Sequence, residues 1–292
     1  MPNGWPATGL PATGLPATGL PATGLQSVEA LHVTGDASTQ RTESVVEETP
    51  VALLYNGDPF AVMMATPMDL EDFALGFALT EGIVASADEF KLVDLVRNAQ
   101  GIALHGAIPQ SRFDALGERR RNLEGRSGCG LCGVESLDAA IRPVRRVTAA
   151  GSTTGGNVSV AQIRAGLDRL AQHQPLNAAS GGVHAAGYAH ADGIVVREDV
   201  GRHNALDKLV GALAVSDRRG GFLVITSRAS YEIVHKAAMA DIAVVVAISA
   251  PTALAIRLAQ QANITLVAFA RGDTMNIYSG SGRIVGGASA PT

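Results

Sequence analysis

The spacing of apolar residues changes period along this chain, and each change marks an element. Two apolar runs, Val45 to Tyr55 and Phe60 to Thr66, flank an Asn56-Gly57 pair, which predicts a β-hairpin with a tight turn. From Thr66 to Gly82 the period becomes helical. Leu70, Phe73, Ala74 and Phe77 share one face, Pro67 lies near the start with acids in the first turn, and Gly82 is a stop. Strand-like segments follow up to Arg112, and a short charged stretch from Gly117 to Arg126 leads on to residue 127.

The second half alternates more regularly. Helical patterns at 160–173, 205–214, 230–240 and 252–262 are interleaved with apolar runs at 194–197, 221–226, 242–248 and 264–269. Asn204 reads as the N-cap of the 205–214 helix, with Arg202 and His203 just outside it, and Ser230 as the cap of the next. Continuous apolar strands between helices predict an α/β fold with a mainly parallel or mixed sheet covered by helices, and ligands at the carboxyl ends of its strands. A smaller N-terminal α+β part precedes it.

Residues 6–25 break every such pattern: they are four copies of Pro-Ala-Thr-Gly-Leu, a period that fits neither helix nor strand. They are read as part of a disordered, low-complexity tail over 1–42. The remainder divides into an N-terminal α+β part (43–126), a cysteine loop (127–136) and a C-terminal α/β part (137–292).

Composition narrows the function. With 27 acidic and 23 basic residues and a formal charge of -4, the chain has no footprint for duplex nucleic acid or an anionic membrane. The longest apolar stretch near the end, Ile242 to Ile256, is broken by Pro251 and is too short to cross a bilayer. A reducing cytoplasm is the expected setting.

Both cysteines of the 292 residues lie in Ser127-Gly-Cys-Gly-Leu-Cys-Gly133. Two cysteines cannot build a disulfide framework, and a structural zinc site would have to recruit two histidines from elsewhere. The loop precedes the helical pattern that starts after Gly133, whose dipole would favour a thiolate, and Arg126 adds positive charge. A reactive thiol pair at Cys129 and Cys132 is the first reading; half of a zinc site and inert packing are the alternatives.

Three further segments carry polar groups at strand ends. Thr226, Ser227 and Arg228 follow an apolar strand and precede a helix, an arrangement suited to phosphate or to a plain capped helix. Arg197 to Lys208 is dense in charge, and His203, with His184 of the Gly-rich 180–184 stretch, is a candidate proton carrier or ligand contact. Phe269-Ala-Arg-Gly-Asp-Thr274 ends the last apolar strand, where a nucleotide would bind or a plain turn would sit.

Taken together, these segments resemble the formate dehydrogenase accessory sulfurtransferase family. The matching stretches include Thr66 to Phe77, Cys129-Gly-Leu-Cys-Gly133, Gly181 to Gly187, Glu198 to Lys208, Thr226 to Glu232 and Arg271 to Tyr278, within a likeness that spans 43–285. The resemblance implies a cytidine deaminase-like core without the deaminase zinc, with no metal held by the protein itself. It implies a homodimer that accepts sulfur from a cysteine desulfurase as a persulfide on Cys129, with Cys132 assisting. The acceptor would be a molybdenum or tungsten bis(molybdopterin guanine dinucleotide) destined for formate dehydrogenase, held by Phe269, Ala270, Arg271, Gly272, Asp273 and Thr274. A cofactor-binding chaperone without sulfur transfer and a thiol-disulfide oxidoreductase remain as alternatives.

Overall fold

The structure is a computed structural model that describes residues 24–121, 143–148, 157–216 and 220–286. Its strands are β1 (Leu25–Thr34), β2 (Ala37–Val46), β3 (Thr49–Tyr55), β4 (Asp58–Ala65), β5 (Lys91–Asn98), β6 (Gly101–Ala107), β7 (Val158–Ser159), β8 (His184–His190), β9 (Gly193–Asp199), β10 (Phe222–Ile225), β11 (Val244–Ala247), β12 (Thr265–Arg271), β13 (Thr274–Ser279) and β14 (Ile284–Val285). Its helices are α1 (Leu70–Thr80), α2 (Gln110–Arg121), α3 (Val160–Gln172), α4 (Pro175–Ser180), α5 (Arg202–Ala214), α6 (Tyr231–Met239) and α7 (Ala253–Gln261).

Order begins earlier than the sequence suggests. β1 and the first part of β2 pair antiparallel inside the stretch read as part of the tail, and β2 runs on to Val46. The Pro-Gly period ends at Leu25, Val28, Val33, Thr39 and Thr42 favour strand, and Gly35, with positive φ, supplies the turn. The charged stretch beginning at Gly117 likewise does not stand alone, because it continues α2 from Gln110 to Arg121.

The N-terminal sheet has the order β4-β3-β6-β5. Asn56 and Gly57 both adopt positive φ and close the β3–β4 hairpin as the sequence predicts. Thr49, Val51, Leu53 and Tyr55 alternate inward along β3, and the last three pack with Leu70, Phe73 and Phe77 of α1 in one core.

The second core surrounds a six-stranded sheet of order β13-β12-β11-β10-β8-β9. Only β10, β11 and β12 run parallel; β9, β8 and β13 pair antiparallel, so the sheet is mixed. Every residue of β10 and β11 is buried, which accounts for their unbroken apolar runs. The hairpin turns at Gly193 and Gly272, both with positive φ, reverse the outer strands. α3 packs on one face through Gly166 against Phe222 and Ala189, and α5, α6 and α7 stand side by side. Helix α1 joins the two cores, with Leu79 touching both. No helix of the described residues is long and apolar enough to cross a membrane.

Candidate functional site

The charged run from Arg197 to Lys208 is consumed mostly by the fold. Arg197 clamps the start of α1 through Asp72 at 2.6 Å. The Glu198 carboxylate accepts from the backbone N–H groups of Leu176 and Asn177 and so caps α4. Asp199 accepts from the Thr66 and Gly201 N–H groups and pairs with the buried Lys208 ammonium at 2.7 Å. Lys208 also donates to the Thr66 carbonyl. Asp207 pairs with Lys236 at 2.9 Å, and Lys236 reaches Glu81 at the end of α1 at the same distance. These bonds tie Thr66, Asp72 and Glu81 of the first half to the second half.

Asn204 is not an N-cap. Its side-chain amide donates to the Met64 carbonyl and to Asp199, and the helix starts two residues earlier, at Arg202. Arg202 and His203 therefore lie within the first turn of α5. The two keep buried nitrogens, Arg202 Nε and His203 Nε2, that make no hydrogen bond among the described residues. Glu232 of α6 approaches His203 Nε2 at 3.7 Å, too far for a hydrogen bond.

This environment is electrostatically tuned. Burial and then the Arg202 charge push His203 down to about 4, against the opposing pull of Glu232. Burial works against ionised Glu232, yet its own N–H, the Ser230 hydroxyl and His203 hold its carboxyl below the usual range. His184, which opens β8 opposite Asp199, is also lowered by burial and Arg202.

Thr226, Ser227 and Arg228 follow β10 at this edge, but two of the three are engaged. The Thr226 hydroxyl accepts from the Ala185 N–H and its own N–H donates to the Ala185 carbonyl, which extends the β8–β10 ladder. The Ser227 hydroxyl donates to the Arg228 carbonyl, and Arg228 is exposed. Ser230 occupies the N-cap of α6 without a capping bond to its backbone.

Beyond them lies a cleft of about 340 Å³. It is lined by Arg164, Leu167 and Asp168 of α3, Ile248 after β11, and Ala270 to Asp273. A break in the β12–β13 register between Ala268 and Arg271 coincides with positive φ at Phe269 and Gly272. The irregularity turns the Phe269 ring outward, 41% exposed, and leaves Ala270 buried beneath. Arg271 Nε donates to the Ile248 carbonyl, the Thr274 hydroxyl to the Arg271 carbonyl, and Arg164 to the Asp273 carbonyl. The cleft thus offers two guanidinium groups and carboxylates at a strand carboxyl end, with the half-exposed Phe269 ring next to its lining in sequence, a set suited to an anionic nucleotide.

Arg164, Leu167 and Asp168 carry no sequence signal for this role, since on a surface helix they read as an ordinary amphipathic turn. Arg202 and Glu232 had one, their adjacency to His203 and Ser230. Cys129 and Cys132 lie outside the described residues. Among the described residues no group of three or more His, Cys, Asp or Glu side chains could hold a metal ion.

The FdhD/NarQ family model matches residues 46–285. A sulfur carrier protein FdhD from Xanthomonas campestris pv. campestris (strain B100) is 52% identical over 251 residues, 84% of this chain and 87% of its own. That of Bordetella bronchiseptica is 50% identical over 251 residues, 84% and 88% of the two chains. The solved structure of a formate dehydrogenase accessory protein from Desulfotalea psychrophila shares the fold, with a TM-score of 0.67 at 22% identity over 89% of this chain and 99% of that one.

Proposed function

We propose, because this chain belongs to the FdhD/NarQ family, that it is a sulfurtransferase serving formate dehydrogenase. It takes sulfur from a cysteine desulfurase on Cys129 and delivers it to a molybdenum or tungsten bis(molybdopterin guanine dinucleotide), its acceptor substrate. The observation that carries this reading is the cleft at Ala270–Asp273, which brings two arginines together beside the position of the exposed Phe269 in a chain whose two cysteines share one short segment.

Loading is a thiol exchange. The Cys129 thiolate attacks the outer sulfur of a donor persulfide; a sulfur–sulfur bond forms to Cys129, the donor's breaks, and the donor thiolate leaves. In delivery the outer sulfur passes to an acceptor that supplies the bonding electron pair, and Cys129 is released as thiolate. Cys132 assists or relays. Arg271 and Arg164 of the cleft suit the diphosphate of the acceptor's nucleotide, and the exposed Phe269 ring, one residue before the cleft lining, suits its base. The mixed sheet accommodates the cytidine deaminase-like arrangement, and a reducing cytoplasm keeps both thiols free. A homodimer would present two such clefts to an acceptor with two nucleotide arms.

The test is sulfur loading. Incubation with a cysteine desulfurase and cysteine, followed by peptide mass mapping, should show Cys129 gaining the mass of one sulfur atom. The reading fails if Cys129 never gains it and Cys129→Ala still supports active formate dehydrogenase.

A further inference from the structure

A sheet with one face in a core and the other in water normally alternates apolar with polar residues. The N-terminal sheet does not. On the face turned away from α1, the register aligns Val62, Ala52, Ala103 and Val96 in one row across all four strands, β4-β3-β6-β5. Met64 lies opposite Pro50 in the row to one side, and Leu54 lies opposite His105 in the row to the other. Asp94, opposite His105 on β5, puts a charge at the rim. Val62 is 63% exposed and Met64 46%, so this apolar face stands open among the described residues. Contiguous exposed apolar surface of this kind marks a contact.

The same chain carries a second surface without a cover. β1 and β2 pair only with each other, and a two-stranded hairpin by itself is marginal in water. Its base is anchored, since the Glu47 N–H donates to the Gly24 carbonyl and β2 meets α4. Beyond the base, every residue from Leu31 to Val45 is exposed. The two sides of this arm differ. One carries Arg41 opposite Ala30 and Glu43 opposite Val28. The other presents Leu31 opposite Gln40 and Val33 opposite Ser38 at its tip, with no charge among the four. Leu31 is 59% exposed and Val33 62%.

We infer that the β1–β2 arm of one copy lies across the open sheet face of a second copy, and the second copy's arm across the first, with Leu31 and Val33 seated on the row of four. Area favours this occupant. With strands about 4.8 Å apart and same-face residues about 6.7 Å apart along each, the open face measures about 300 Å². One arm on one face buries about 600 Å² over the two surfaces, within the range of incidental contacts. The reciprocal pair buries about 1,200 Å², where specific interfaces begin. A twofold axis makes both contacts at once, because the arm and the face belong to the same chain and the pairing is isologous. Each copy then covers both of its partner's open surfaces. The inference supplies an interface for the homodimer of the reading above, on which it rests, and uses none of the sulfur chemistry.

The test is association of the full chain, followed by sedimentation across a dilution series. The native chain should sediment at twice the chain mass. Leu31→Glu with Val33→Glu on the arm, and separately Val62→Glu on the face, should each raise the dimer dissociation constant roughly thirtyfold or more. Crosslinking locates the contact without a disruptive change. Leu31→Cys and Val62→Cys are placed in separate chains that carry Cys129→Ala and Cys132→Ala, and are treated with a short bifunctional thiol reagent. The two chains mixed should give a covalent arm-to-face pair that neither gives alone. A native dimer that survives both sets of substitutions and gives no such pair overturns the inference and leaves the homodimer standing. A monomeric native chain overturns both. A monomer that crosslinks within one chain carrying both new cysteines would place the arm on its own sheet, which also overturns the inference. Sulfur loading of Cys129 decides the carrier reading whichever way the chain associates.

Discussion

Gly76 of α1 lies against the backbone carbonyl of Asp207 in α5, so close that a Cβ at position 76 would overlap it. The reciprocal approach, Gly211 of α5 against the Asp72 carbonyl, makes the crossing two-sided. Neither φ is positive, so the requirement is for proximity and not for an unusual backbone. The same crossing lets the Thr80 hydroxyl of α1 donate to the Asp207 carboxylate that binds Lys236, so the two glycines bring α1 up to the buried ion pair.

Gly76→Ala should therefore destabilise well beyond an ordinary helix substitution, although alanine is the better helix former. The methyl group meets backbone atoms that cannot rotate away, and overpacking of this kind costs on the order of 1–3 kcal/mol or more. Urea unfolding should show a lower midpoint. An unchanged or raised midpoint would mean that the helices separate without penalty.

Lys236 is buried, and its ammonium bonds to Asp207, Glu81 and Thr80. Lys236→Met would leave the Asp207 and Glu81 carboxylates facing each other without a cation. Removal of one member of such a buried pair costs about 3–5 kcal/mol. Lys236→Met combined with Asp207→Asn should recover part of that loss, and thermal unfolding of the three variants checks the coupling. Strict additivity of the two single changes would refute it.

The acid dependence of stability has two opposing parts. His203, lowered to about 4, is neutral in the folded chain where the unfolded chain, titrating near 6.5, is protonated, so its contribution is lost as pH falls through that window. Asp207, raised to about 6 by burial, acts in reverse, since the fold holds its proton where the unfolded chain has released it. The native chain should therefore lose, between pH 6.5 and 4, on the order of 2 kcal/mol more stability than His203→Gln does. Parallel stability curves for the two proteins would show that His203 does not titrate this way.

At the cleft, guanosine diphosphate serves as a probe for the nucleotide arm of the proposed acceptor. Arg271→Ala should weaken its binding roughly tenfold, the effect of one charge-assisted hydrogen bond. Phe269→Ala should weaken it by a smaller factor, about 1 kcal/mol of stacking. Calorimetric titration measures both. Equal affinity for the native chain and both variants would remove this turn from the nucleotide site.

Much of the architecture is legible in the chain because local chemistry and tertiary packing agree there. Asn56-Gly57 could close a hairpin and does, and the unbroken apolar runs at 222–225 and 244–247 could be buried parallel strands and are. The failures have a common origin in groups whose partners are distant in sequence. Asn204 looks like an N-cap, yet its amide is spent on the Met64 carbonyl, 140 residues away, and α5 begins without it. Thr226 looks available for a ligand, but it continues the ladder with Ala185. Arg164 has no local distinction, and only the fold brings it to Asp273. The charge density of 197–208 marks the segment as unusual, while concealing that most of its charges hold the framework.

The bond from Lys208 to the Thr66 carbonyl and the pairing of Lys236 with Glu81 have a consequence for how the chain can be divided. Each core completes its polar wiring with groups borrowed from the other. A fragment beginning at residue 157 would carry two buried ammonium groups that keep Asp199 and Asp207 but lose their acceptors at Thr66, Thr80 and Glu81, and one ending at residue 121 would lose the clamp on the start of α1. The halves should melt together in a single transition, and separately expressed pieces should fold only when mixed, as complementing fragments of one cooperative unit.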